Sequence, residues 1–219
     1  MKVRMVGLDF DGTVAHYKYP SVWELIANEL GCVDEDERLK KAFFSGEFDV
    51  STWSRRCVEL YKRYGLTEQR LNDMLGRDMR PANGTDRLLS GLRERGMKVA
   101  VVSGSIRNAY DIFAAKFGLH FDFVSIAHEL EFDGTGALTG GVFTNRDFHG
   151  KVEAMKEMCS ASGIGMDECA FIGNDTNDIP VFRSVGRSFA FNTDKRDVID
   201  SASVNIDGGD ISAVLGYLD

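Results

Sequence analysis

No stretch of this 219-residue chain approaches the roughly 18 consecutive apolar residues that a membrane-spanning helix needs. The opening Met1-Lys2-Val3-Arg4 starts as a signal peptide would, but Asp9 and Asp11 interrupt the apolar run that should follow. Cysteine is scarce: Cys32, Cys57, Cys159 and Cys169 are widely spaced and form no C-x-x-C pair. That spacing speaks against a zinc site and a disulfide framework, and predicts reduced thiols in a cytoplasmic protein. Positive charge is also short, 26 basic against 34 acidic residues, for a net charge of -8. Nucleic acid and anionic membranes are therefore not expected as partners, and an anionic ligand needs a cation's help. Internal repeats and low-complexity tracts are missing too. What is present is 43% hydrophobic residues in a chain long enough to bury a sizeable core, which excludes disorder.

Hydrophobic periodicity divides the chain into a helical block lodged inside alternating strands and helices. Val22, Leu25, Ile26 and Leu30 fall on one helical face between Ser21 and Gly31. Trp53, Cys57, Leu60, Tyr61 and Tyr64 do so after a cap at Ser51 or Thr52, and a third helix spans roughly 67–75. No convincing strand is expected between about residues 15 and 82. Beyond Asn83-Gly84, a helix with Leu88, Leu89 and Leu92 stops at Gly96, and an apolar strand follows over 97–102. Strand-like runs recur at 121–126, 168–172, 188–191 and 203–206. This βα alternation predicts an α/β fold with a doubly wound, mostly parallel, Rossmann-like sheet and a small inserted helical domain. The expected division is 1–14 with 83–219 as the core and 15–82 as the insert. The Gly-rich stretch from His128 to Asn145, containing Asp133-Gly134, reads as a hairpin appended to the sheet.

Ligands of such sheets bind beyond the carboxyl ends of the strands, so chemistry is sought there. The first strand runs into Asp9-Phe10-Asp11-Gly12-Thr13. Side chains alternate along an extended backbone, so Asp9 and Asp11 leave on the same side, close enough to share a cation. Gly12 permits a sharp turn, and Thr13 supplies a hydroxyl and an amide for an anion. By itself Asp11-Gly12 equally describes a turn dipeptide. A second strand ends at Val102-Ser103-Gly104-Ser105, a hydroxyl and several amides ahead of a helix, which suits phosphate, although such a turn alone is more often a loop and cap. Lys151 stands in the first turn of a helix, where the dipole disfavours a cation; a nearby anion and carboxylate would explain it. The last of these strand ends carries Gly173-Asn174-Asp175-Thr176-Asn177-Asp178, an oxygen-rich loop before a helix started by Pro180. Oxygen ligands of that kind suit Mg²⁺.

In this order, the four signals resemble the motifs of the haloacid-dehalogenase-like (HAD) hydrolase superfamily over nearly the whole chain. Asp9 to Thr13 is similar to its first motif, Ser103 to its second, Lys151 to its third, and Gly173 to Asp178 to its acidic fourth. The helical block resembles the cap of the phosphoserine-phosphatase-like branch, with Phe48 and Arg55 at the spacing of that branch's substrate contacts. Leu138-Thr139-Gly140 is similar to that branch as well.

The resemblance implies a Mg²⁺-dependent phosphatase of a small phosphorylated metabolite. Asp9 is then the nucleophile, Asp11 the general acid and base, and Lys151 a charge-neutralising partner. Thr13, Ser103 and Gly104 hold the phosphoryl group, and Asp9, Asp11, Asp178 and either Asn174 or Asp175 hold the metal. Two residues depart from the pattern. Asn174 stands where the family carries a metal-binding Asp, with Asp175 one place later. Counting on from Asp9 without gaps, Lys18 stands where true phosphoserine phosphatases carry a Glu for the serine ammonium, which disfavours phosphoserine. A phosphoglycolate-type phosphatase or phosphotransferase on the same core, and a non-catalytic phosphometabolite-binding protein, are the competing expectations.

Overall fold

A computed structural model describes residues 2–144 and 150–218. The first strand, β1 (Met5–Leu8), is buried along its whole length, as a strand covered on both faces must be. The chain then leaves the sheet through the two-residue strand β2 (Ala15–His16) into α1 (Val22–Leu30), α2 (Val33–Phe44), α3 (Val50–Arg63) and α4 (Glu68–Asp78), and returns through β3 (Arg80–Pro81). β2 and β3 pair antiparallel and tie the outgoing connection to the incoming one. These strands correct the expectation of none between 15 and 82; two residues are too few to show an alternating pattern. Helix α2 is likewise missing from the periodicity, because it buries Asp36 rather than an apolar stripe.

The core resumes with α5 (Thr85–Glu94), β4 (Lys98–Ile106), α6 (Arg107–Phe117), and the hairpin β5 (Phe123–Phe132) and β6 (Leu138–Phe143). It closes with α7 (Gly150–Ser162), β7 (Cys169–Gly173), α8 (Ile179–Phe182), β8 (Arg187–Phe191), α9 (Arg196–Ser201) and β9 (Val204–Ile206). The seven-stranded sheet runs β6-β5-β4-β1-β7-β8-β9. Every neighbouring pair is parallel except β5 with β6. The fold is therefore the expected α/β, doubly wound architecture. The hairpin is present with Asp133 in its turn, its side chain accepting from the amides of Thr135 and Ala137. Its expected end at Asn145 lies outside the described residues.

The second strand continues further than its apolar run suggests. β4 extends through Ser103, Gly104 and Ser105 to Ile106, with a register shift against β5 between Ser103 and Ile106. A bulge re-aims side chains at a strand end, and here it replaces the expected turn. One face of the sheet packs a single apolar cluster that joins Val6, Leu8 and Phe10 to Leu25 and Ile26 of α1, Leu60 of α3 and Leu75 of α4. The opposite face packs Met5, Ala100 and Phe171 against Met155 and Met158 of α7.

Candidate active site

β1, β4 and β7 lie side by side at the middle of the sheet, so the residues following their carboxyl ends converge. Asp9 follows β1 directly, its amide donating to the Ile172 carbonyl at 2.9 Å. Its carboxylate is buried, and Oδ1 accepts from Lys151 Nζ at 2.9 Å. The same ammonium donates to Asp178 Oδ1 at 2.7 Å and to Asn177 Oδ1 at 3.2 Å. Lys151 is only 1% exposed, and a buried cation in a first helical turn is tolerated because two buried carboxylates face it. Burial opposes its charge, yet Asp178 and Asp9 override that cost and hold the ammonium well above its ordinary pKa. Asp178 is pushed up to about 6 by burial, against the pull of Lys151.

Asp178 Oδ2 accepts the amides of Asn174 and Asp175 at 2.9 and 3.1 Å, so this carboxylate closes the loop it belongs to. Gly173 is required beneath it, since a Cβ there would meet the Asp178 carboxylate. Asp11 faces elsewhere. Its Oδ1 accepts from the Tyr17 hydroxyl at 2.9 Å and the Ser105 hydroxyl at 3.0 Å, and its Oδ2 meets the Val22 amide at 3.3 Å. Burial, then the nearby Asp9 charge, raise the Asp11 carboxyl to about 7.

Asp9, Asp11, Ser103, Gly104 and Asn174 line one cavity of about 830 Å³ at these strand ends, within the range of small-molecule sites. Lys18, Lys40 and Glu24 lie on its wall from the helical block, and Lys195 from the loop after β8. Thr13, Phe48 and Arg55 are not among the lining residues. Thr13 is fully buried, and its hydroxyl donates to Asn174 Oδ1 at 3.1 Å instead of facing an anion. Phe48 carries the Arg56 guanidinium 4.2 Å above its ring. Arg55 points into solvent and pairs with Glu59 at 3.3 Å, because α3 turns Trp53, Cys57, Leu60 and Tyr61 inward. The exposed Lys18 lies 5.2 Å from the Tyr19 ring at the rim, and α1 starts only after its cap Ser21.

Of the oxygen donors expected for a metal, Asp9, Asp11 and Asn174 line the cavity, whereas Asp178 is fully buried with Oδ1 on Lys151 and Oδ2 on two amides. Asp175 is committed to a 2.6 Å pair with Lys195, which holds its carboxyl below the usual range although burial works the other way. Among the described residues no group of three or more His, Cys, Asp and Glu is gathered for a metal. An oxygen-only set with two carboxylates nevertheless fits Mg²⁺, which commonly completes its shell with water and substrate phosphate. Tyr17, Trp23 and Lys195 carried no signal in the sequence. Ser105 belongs to the Ser103-Gly104-Ser105 run, whose sequence suits an anion but does not indicate a hydroxyl turned toward Asp11.

The sequence model of the haloacid dehalogenase-like hydrolases matches residues 6–183. A phosphoserine phosphatase of Methanocaldococcus jannaschii is 26% identical over 217 residues, covering 99% of this chain and 98% of its own. One from Lactococcus lactis subsp. lactis is 27% identical, with 97% and 94% covered. Among solved structures, a phospho-aspartyl intermediate analogue of phosphoserine phosphatase matches over all of both chains with a TM-score of 0.80 at 26% identity. A substrate-bound phosphoserine phosphatase complex gives 0.79 at 25%, again over the full length of both chains. The chain belongs to the haloacid dehalogenase-like hydrolases. Within that family it lies on the phosphoserine-phosphatase-like branch and is a phosphoric monoester hydrolase.

Proposed function

We propose that the chain hydrolyses a small phosphorylated metabolite with Mg²⁺, through a phosphoryl group carried on Asp9. The observation that carries this reading is Lys151, buried between Asp9 and Asp178 with an ammonium hydrogen-bonded to both. A phosphomonoester dianion repels an attacking carboxylate, and this cation offsets that repulsion in a site shielded from water. Asp9 attacks phosphorus, Ser103 and the backbone at Gly104 hold phosphoryl oxygens, and Asp11 protonates the leaving oxygen. Asp11 afterwards takes a proton from the water that releases phosphate. When bound by Asp9 and Asn174, which line the cavity, Mg²⁺ would neutralise further charge on the phosphoryl group. Residues 15–82 act as the cap over this site. Four free, buried thiols, with Cys159 and Cys169 sharing a hydrogen bond at 3.2 Å and no disulfide, suit the reducing cytoplasm.

Lys18 on the cavity wall favours a substrate with a second anionic group and no ammonium, such as phosphoglycolate or phosphoglycerate, whereas Lys40 beside it is already paired with the buried Asp36 at 3.0 Å. Glu24 on the same wall supports the second reading, phosphoserine itself, the substrate for which the relatives are named. Comparing kcat/KM for the three esters separates them. A tenfold or greater advantage for phosphoserine, about 1.4 kcal/mol in the transition state, overturns the Lys18 argument. Asn174→Asp is expected to tighten the apparent Mg²⁺ requirement of turnover by adding charge. If only Asp175→Ala alters that requirement, Asn174 is not the ligand.

A further inference from the structure

Asp11 differs from Asp9 and Asp178 in what holds it. Those two share the Lys151 ammonium, whereas the donors on Asp11 are two hydroxyls and an amide from different layers of the molecule. Ser105 stands on the bulged end of β4. Tyr17 follows β2, and Val22 is the first residue of α1, so two of the three donors belong to the helical insert. Oδ1 is occupied twice, at 2.9 and 3.0 Å, while Oδ2 has one longer contact at 3.3 Å. The terminal torsion of an aspartate is intrinsically broad, so a carboxyl that must give a proton and then recover one depends on its neighbours for orientation.

We propose that Tyr17 is a positioning residue for Asp11, fixing Oδ1 through its hydroxyl so that Oδ2 presents the transferable proton to the leaving group. This rests on the reading of Asp9 as nucleophile and Asp11 as acid and base. As Asp9 oxygen forms its bond to phosphorus, the ester P–O bond breaks with its electron pair on the leaving oxygen, which receives the Oδ2 proton. In the second half, water oxygen attacks phosphorus, its proton returns to Oδ2, and the Asp9 carboxylate departs. Because Tyr17 and Val22 lie in the insert, the acid is aligned only while the insert is seated against the core.

The test is Tyr17→Phe, which removes only the hydroxyl. On an alkyl ester such as glycerol phosphate, kcat falls about tenfold, the order expected for one lost orienting hydrogen bond, with KM nearly unchanged. On nitrophenyl phosphate, whose leaving group needs little protonation, kcat/KM, which reports the first transfer and not the later hydrolysis of phospho-Asp9, changes less than about twofold. In an Asp11→Asn background, adding Tyr17→Phe leaves the residual rate on phenyl phosphate unchanged, since Tyr17 acts through Asp11. Equal losses of kcat/KM on alkyl and aryl esters, an effect confined to KM, wild-type rates, or an undiminished loss in the Asp11→Asn background each overturn the proposal. Should Tyr17→Phe be poorly folded, Ser105→Ala removes the other donor to the same oxygen and must show the same leaving-group selectivity. Turnover by Asp9→Asn overturns the underlying reading instead, whereas an inert Asp9→Asn beside a fully active Tyr17→Phe overturns only the role of Tyr17.

Discussion

The carboxyl of Asp11 is raised from 3.8 to about 7 by burial and by Asp9, and this has a thermodynamic sign. The unfolded chain releases that proton near pH 4, but the folded, metal-free protein keeps it to about 7. The native state thus binds more protons in this window, and its stability falls as pH rises through it. Asp11→Asn removes this component. The melting temperature of the variant relative to the parent should therefore climb between pH 4 and pH 7 in chelator, and a pH-independent difference would show that Asp11 ionises normally. At this scale the sequence was legible where a residue broke a local rule. Lys151 was conspicuous in a first helical turn, and Asp9 at a strand end. Thr13 was misread because its partner, Asn174, is 161 positions away, and no local pattern announces a buried hydroxyl turned toward an amide. Arg55, by contrast, was decidable: it lies two residues beyond the inward-facing Trp53, on the opposite side of α3.

Between elements, the connection that matters most is that of α1 to β4. The Trp23 indole donates to the Gly104 carbonyl at 3.1 Å, while its ring packs near Trp53, His128 and Phe143. Trp23→Phe keeps an aromatic ring and removes the donor. It should cost about 1 kcal/mol by denaturant titration, with turnover falling because α1 also supplies the Val22 amide to Asp11. Full stability together with full activity would show that this link does not hold the insert. Deeper in the same helix, Leu25 is fully buried, and Leu25→Ala is expected to cost about 2–5 kcal/mol. The face of α1 was readable because Val22, Leu25, Ile26 and Leu30 recur at helical spacing. The bulge at Ser103 to Ile106 was not, since strand pairing with β5 decides where β4 ends and the apolar run stops four residues earlier.

Across the whole molecule, the helical insert and one face of the sheet bury their apolar residues in a common cluster. Unfolding should accordingly be one cooperative transition, with near- and far-ultraviolet signals coincident. Two separated transitions would mean that residues 15–82 fold on a core of their own. The overall topology was legible because βα alternation leaves few ways to arrange a parallel sheet, and that arrangement brings distant strand ends together. In this chain of net charge -8, the buried ammonium of Lys151 is shared by Asp9 and Asp178, so the cluster by itself carries more negative than positive charge and an anionic ligand needs a further cation. The most direct test of this account is rapid-quench mass spectrometry of the protein turning over a phosphomonoester in Mg²⁺. The expected result is a phosphoryl group on the peptide containing Asp9, absent from an inert Asp9→Asn variant. A phosphoryl group on another residue, or continued hydrolysis by folded Asp9→Asn, would contradict it.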